Sequence, residues 1–216
     1  VELVPLTFTA VVPVLERQAV DLVLLNPGLY MEMSSRFGLS RIATLKRLAP
    51  EGYTTRMAGV VFCRSDQQDI QTLRDLKGRR LVAVDEHSFG GWLLAQRELQ
   101  RQGVLPGDLA RLDFLETHDR VVQAVLAGTA DAGTVATPVL EFMEREGRVR
   151  PGALRVLNPQ SGDGFPWKRS TALYPEWPLA RMPHLEDHLV ERVVLALLEM
   201  PASTAAARSA GLEGWT

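Results

Sequence analysis

Two rhythms of apolar and polar residues alternate along the chain. Short apolar or β-branched runs give way to stretches with apolar residues every three or four positions, then return. This strand-then-helix succession predicts an α/β fold with a largely parallel sheet. Residues 2–8 alternate like a strand and 13–19 read as a short helix. Residues 21–25 are a buried strand run ending at the turn Asn26-Pro27-Gly28, and 30–37 continue as a helix. Residues 57–64 form a long apolar strand, followed by a short helix over 70–78 that glycine stops.

The cycle then repeats. Strand 80–84 leads through the small-residue turn Ser88-Phe89-Gly90-Gly91 into a helix over 92–102. Strand 112–115 precedes a helix over 119–127, whose Val121, Val122, Val125 and Leu126 share a face before Gly128 ends it. Residues 131–135 read as a short buried strand, 138–145 as a helix and 154–157 as a returning strand. The tail differs in texture: 165–177 is rich in proline and aromatics, and 185–200 carries the clearest amphipathic stripe, with Leu185, Leu189, Val193 and Leu197. Two α/β blocks joined by strands near 59–64 and 155–159 predict two lobes with two crossovers between them. The expected division is 1–62 with 157–216 for lobe I and 63–156 for lobe II, and a cleft between such lobes favours a small ligand.

Composition narrows the function. The 216 residues carry 24 basic and 26 acidic side chains, a net charge of −2 without the concentrated basic face of a nucleic-acid binder. A single cysteine, Cys63, excludes an internal disulfide and any multi-cysteine metal centre. No apolar run is long enough to span a bilayer, so membrane attachment is expected only through segments outside this chain. The sequence opens at Val1 without a leader, as expected of an excised piece whose signal peptide is already gone.

Several small constellations could carry chemistry. Ser88-Phe89-Gly90-Gly91 lies between a strand and a helix, where amides, a hydroxyl and two glycines can cradle an anion. The bland alternative is an ordinary cap and tight turn. The turn lacks the Gly-Lys-Ser/Thr ending of a phosphate loop and the Gly-x-Ser-x-Gly frame of a nucleophile elbow. Thr117-His118-Asp119 opens a helix just after a strand, so His118 either faces a ligand or is a structural ring. Thr134 ends its strand where open α/β sheets meet ligands, against the reading of a packed, satisfied hydroxyl. Asn26 and Tyr30 offer the same geometry in the first block, against a plain strand-to-helix turn. His184 and His188 stand four apart, but Leu185 occupies the catalytic glutamate position of a zinc helix, which favours a solvated turn. Cys63 reads as a small apolar strand residue.

Together these segments resemble the phosphonate-binding family of periplasmic solute-binding proteins. The resemblance is carried by residues 20–30, 40–45, 73–78, 88–91 and 125–135. The tail Ser170-Thr171-Ala172-Leu173-Tyr174-Pro175-Glu176-Trp177-Pro178, with Gly214-Trp215, resembles the branch fused as sensor domains to bacterial histidine kinases of the tetrathionate-sensor type. The resemblance implies a bilobal type II binding-protein fold. It implies a ligand held by Asn26 and Tyr30 from one lobe and by Ser88, Phe89, Gly90, Gly91, His118 and Thr134 from the other. It implies an extracytoplasmic location and a further strand and helix before the position of Val1. The family's acidic residues for an aminophosphonate amine are not found here, so the expected ligand is a small oxyanion, a sulfur oxyanion or a phosphonate. No cofactor and no metal are implied.

Sensing by lobe closure, ahead of a kinase core and within a homodimeric sensor, is the reading the resemblance favours. A free solute-binding protein of a transporter is the alternative. A hydrolase using Ser88 and His118 lacks a suitably spaced carboxylate, and an effector domain of a transcription regulator would not explain the tail.

Overall fold

Local chemistry sets where elements begin and end. Asn26 Oδ1 accepts the Leu29 amide at 2.9 Å, and Pro27 occupies the first helical position, where no donor is needed. The helix that follows ends at Gly38, whose left-handed φ of 70° a side chain would resist while its amide reaches Ser34 O. Thr117 Oγ1 caps a later helix by accepting the Arg120 amide at 3.3 Å.

The computed structural model describes residues 2–216; Val1, the opening noted above, lies outside them. In chain order the first elements are α1 (Phe8–Glu16), β1 (Leu22–Leu24), α2 (Pro27–Phe37), β2 (Ser40–Leu48) and β3 (Tyr53–Thr54). Next come β4 (Arg56–Met57), β5 (Gly59–Arg64), β6 (Arg80–Ala83), α3 (Leu94–Arg101), β7 (Arg111–Phe114) and α4 (His118–Leu126). After these lie β8 (Ala132–Ala136), α5 (Val139–Arg145), β9 (Leu154–Leu157) and β10 (Tyr174–Pro175). The chain closes with β11 (Pro178–Arg181), α6 (Asp187–Leu198), α7 (Ala205–Ala210) and β12 (Leu212–Trp215). Residues 2–8, expected as a strand, enter no ladder and lead into α1 from Phe8: alternation without a paired neighbour does not make a strand.

Two compact units divide the chain. One runs to Thr55 and resumes at Pro175–Thr216; the other is Arg56–Tyr174. The division falls outside the expected 62/63 and 156/157 because β5 pairs along its length with β8 and β9, inside the second unit.

The first unit holds an antiparallel sheet in the order β1-β11-β2-β12, with β3 beside β2. Its core joins Val11 and Leu15 of α1, Val23 and Leu25, Leu29 and Met33 of α2, and Ala180 and Met182. Across the sheet, Arg47 Nε donates to Glu176 Oε1 at 2.7 Å, and the Trp177 amide donates to Glu176 Oε2 at 3.1 Å. The predicted helix of residues 185–200 forms as α6, but none of its residues is fully buried, and Leu189, Leu195 and Leu198 are exposed.

The second unit's sheet has the order β7-β6-β8-β5-β9. Strands β7, β6 and β8 run parallel, whereas β5 is antiparallel to β8 and β9. The sheets are therefore mixed and antiparallel rather than largely parallel, because strands of the returning chain pair against outgoing ones. The alternation of side chains splits two cores between the faces. Val60, Phe62, Val82 and Val84 face Val121, Val122 and Val125 of α4 and Leu140 and Met143 of α5. Val61, Cys63, Leu81 and Ala83 face Ile70, Leu73, Leu76 and the α3 side, with Trp92, Ala95 and Leu99. Hydroxyls of the tail stitch this sheet: Gly59 N donates to Thr171 Oγ1 at 3.0 Å, Val61 N to Ser170 Oγ at 2.8 Å, and Ser170 Oγ to Leu157 O at 2.6 Å. Among the described residues no helix is long and apolar enough to cross a membrane.

Candidate functional site

Neighbouring strands β6 and β7 send their following helices to opposite faces of the second unit's sheet. After β6 the chain enters α3, which packs with Leu81 and Ala83; after β7 it enters α4, which packs with Val82 and Val84. Such a reversal opens a crevice beyond the carboxyl ends of parallel strands, where open α/β sheets bind ligands. Both helices also point their N-terminal amides to that edge, a favourable setting for negative charge.

The loop leaving β6 turns at Ser88. From there a π-helical turn, Phe89–Leu93, runs without a break into α3, thirteen helical residues in all. Ser88 O accepts both Trp92 N (2.8 Å) and Leu93 N (3.0 Å). Among the described residues, the amides of Phe89, Gly90 and Gly91 have no acceptor, and the Ser88 hydroxyl caps nothing. The glycines are there for closeness. A Cβ on Gly90 would lie 2.7 Å from Ala136 Cβ and Met57 Cε, and one on Gly91 would lie 2.6 Å from Ser88 Oγ and Val84 Cγ2. Side chains would lift the three free amides off the sheet.

Beneath this turn sits Thr134. Strand alternation places it with Ala132 and Ala136 on the face that α3 covers, opposite Gly133 and Val135. It is 0% exposed, and its hydroxyl has no hydrogen-bond partner among the described residues. A buried hydroxyl left unpaired loses about 1–3 kcal/mol, so it marks a place where a partner belongs. His118, first residue of α4, accepts the Ala136 amide at Nδ1 (3.4 Å). Burial lowers its pKa from 6.5 to about 4 against the opposing pull of Asp119, so the ring is neutral at pH 7. With Nδ1 accepting, Nε2 carries the proton and donates.

The structure thus brings Ser88, Phe89, Gly90, Gly91, His118 and Thr134 to one end of one sheet. Asn26 and Tyr30 belong to the first unit, where Asn26 is buried as the cap of α2 and the Tyr30 ring packs partly against its core. Sequence reasoning overlooked Arg97 and the placement of Tyr174. The Phe89 ring stands edge-on to Tyr174 at 5.3 Å, and Arg97 Nη1 donates to the Tyr174 hydroxyl at 2.6 Å. Only the eight-residue, near-helical offset of Arg97 from Phe89 could have hinted at it. The two C-terminal histidines go separate ways, His184 to Asp21 at 3.1 Å and His188 to Glu186 at 3.1 Å. Cys63 is enclosed in the sheet, where burial pushes its thiol pKa up.

Solved structures define the class. The chain is similar to PhnD1 from Prochlorococcus marinus in complex with methylphosphonate (15% identity, 98% of this chain and 78% of that one, TM-score 0.73). It is also similar to a histidine kinase sensor domain with similarity to periplasmic binding proteins (19% identity, 96% and 76%, TM-score 0.52). The fold is that of the type II periplasmic binding proteins. More particularly, a family model described as the periplasmic substrate-binding protein of a phosphonate ABC transporter matches residues 1–216, and the chain belongs to that family. Among curated relatives, the tetrathionate sensor histidine kinase of Salmonella typhimurium is 29% identical over 185 residues, 85% of this chain. The chain spans 31% of that relative's length. Membership makes this part of the protein an extracytoplasmic small-ligand-binding module rather than an enzyme domain.

Proposed function

We propose that this chain is the ligand-sensing portion of a membrane-anchored two-component histidine kinase and that it binds a small oxyanion. The observation that carries the ligand class is the group of three unpaired amides, Phe89 to Gly91, above the unpartnered hydroxyl of Thr134. A phosphonate or a sulfur oxyanion suits such a set of donors. The kinase assignment is supported by the sensor relative and by the sensor-domain structure; family membership supports the alternative, a free transporter component. Asn26 and Tyr30 are proposed as further ligand contacts. Binding would stabilise one member of a conformational equilibrium, and the shifted population would be the signal.

Thermal unfolding against phosphate, methylphosphonate, sulfate, thiosulfate and tetrathionate tests the reading. At 100 times its dissociation constant a true ligand stabilises the fold by about 2.7 kcal/mol, a clear rise in midpoint. The rise should shrink in Thr134→Val and His118→Ala. A cooperatively unfolding protein whose midpoint no anion moves would overturn the oxyanion assignment.

A further inference from the structure

The turn that carries the unpaired amides also touches both segments by which the chain enters and leaves the second unit. That unit begins at Arg56 and ends at Tyr174. Met57, in β4, has its Cε 2.7 Å from where a Cβ on Gly90 would stand, so glycine is what lets the turn lie against it. At the other end, the Tyr174 ring stands edge-on to Phe89 with 5.3 Å between centroids, and its hydroxyl accepts from Arg97 Nη1 at 2.6 Å. Phe89 and Arg97 lie on one continuous helical segment, so Tyr174 is gripped from two points of it. The strands that hold Met57 and Tyr174, β4 and β10, pair with each other.

The Phe89 amide and the Phe89 ring hang on one Cα. An anion that orders the amide therefore fixes the base of the ring, and the ring passes that change to what it touches. A ligand shifts a conformational equilibrium only through contacts that differ between the states. We propose that Tyr174 is the residue through which occupancy of the Phe89–Gly91 amides reaches the crossing strand β10, with Phe89 driving the ring and Arg97 holding the phenol in register. Its role is transmission rather than ligand contact. This rests on the oxyanion-binding reading above and adds to it the route by which binding leaves the second unit, since Pro175, the next residue, begins the returning part of the first. A Tyr174 that merely packed would support the fold and leave the response of β10 to an anion unchanged.

Hydrogen exchange followed by NMR separates the possibilities, with saturating sulfate, thiosulfate, phosphate or methylphosphonate as the probe. It is read at the Phe89, Gly90 and Gly91 amides and at those of Tyr174, Glu176 and Trp177, the Glu176 amide being bonded to Thr55 O at 2.7 Å. In the parent, a bound anion should slow both groups, the second by at least about fivefold, the lower end of ordinary coupling between sites. Tyr174→Leu should keep the slowing at 89–91 and lose it at 174–177, with affinity by calorimetry changed less than about threefold. Tyr174→Phe, which keeps the ring and drops the Arg97 bond, serves if Tyr174→Leu does not unfold cooperatively: its slowing at 174–177 should be smaller than the parent's, and an equal slowing would overturn the role. Slowing at 174–177 that survives Tyr174→Leu, or is missing from the parent while 89–91 are slowed, would overturn the transmission and leave anion binding intact. A loss of affinity beyond about tenfold in Tyr174→Leu would make the ring part of the binding surface and overturn it too. Failure of all four anions to slow 89–91 would overturn both readings.

Discussion

Protonating His118 places a charge where burial has stripped away most of the water, and its pKa falls from 6.5 to about 4 in the folded protein. The unfolded chain takes that proton more readily. Between pH 6.5 and about 4, unfolding therefore binds a proton, and stability falls as the pH falls through this window. Above it the contribution is complete; below it both states are protonated and nothing further is lost. Allowing for the ring's partial exposure, the loss is on the order of 2 kcal/mol. Urea midpoints of the parent and His118→Gln at pH 7 and pH 4.5 isolate it, and the parent should lose more by about that amount. Glu141, whose pKa burial raises, acts in the opposite direction and is common to both proteins. Equal losses in the two proteins would mean that the ring is not held neutral. The sequence offered His118 with two readings and no means of choosing, since its neutrality comes from burial in the folded chain and its hydrogen bond from Ala136, eighteen residues away.

Among elements, β2 shows best why some of the fold was hidden. Its run Ser40-Arg41-Ile42-Ala43-Thr44-Leu45-Lys46-Arg47-Leu48 is broken by charges and reads as neither period. In the structure those charges have destinations: Lys46 sits over the Tyr53 ring, and Arg47 meets Glu176 from the far end of the chain. By contrast α4, with three valines on one face, a threonine cap and a closing glycine, needed only its own residues to be recognised. The Arg47–Glu176 pair also carries a stability prediction. Glu176 is 1% exposed and Arg47 20%, so Arg47→Met leaves a carboxylate buried without its cation and should cost about 3–5 kcal/mol in urea unfolding. Arg47→Met with Glu176→Leu should recover most of that. A single-variant loss below about 1 kcal/mol would show that the carboxylate finds water or another partner.

For the whole molecule, protection should be uneven. Val60, Val61, Phe62 and Cys63 of β5 are completely buried between two neighbouring strands, whereas α6 has no fully buried residue. Hydrogen exchange should find the β5 and β8 amides opening only with global unfolding, and those of α6 opening several kcal/mol more easily. Comparable protection in both would mean that α6 is held by contacts its exposure does not reveal. At this scale the sequence was least informative. It showed that helices follow strands, but the opposite placement of α3 and α4 about the sheet, which creates the crevice, follows from how β6 lies between β7 and β8.

The cradle of Phe89 to Gly91 donates through its main chain, and main-chain hydrogens are not encoded by side-chain identity. Replacement at Phe89 by anything but proline leaves its amide in place, so mutational drift can rewrite that side chain without erasing the donor that the proposed anion would meet. An alanine scan would therefore underestimate the cradle: its alanines at 90 and 91 would report crowding against Ala136 and Val84 rather than a lost donor. Replacing a single peptide N–H by an ester oxygen removes the hydrogen and spares the packing. On the proposed oxyanion reading, affinity for anions as a class should be hard to lose within a lineage, because it rests on main-chain N–H groups that side-chain replacement leaves in place.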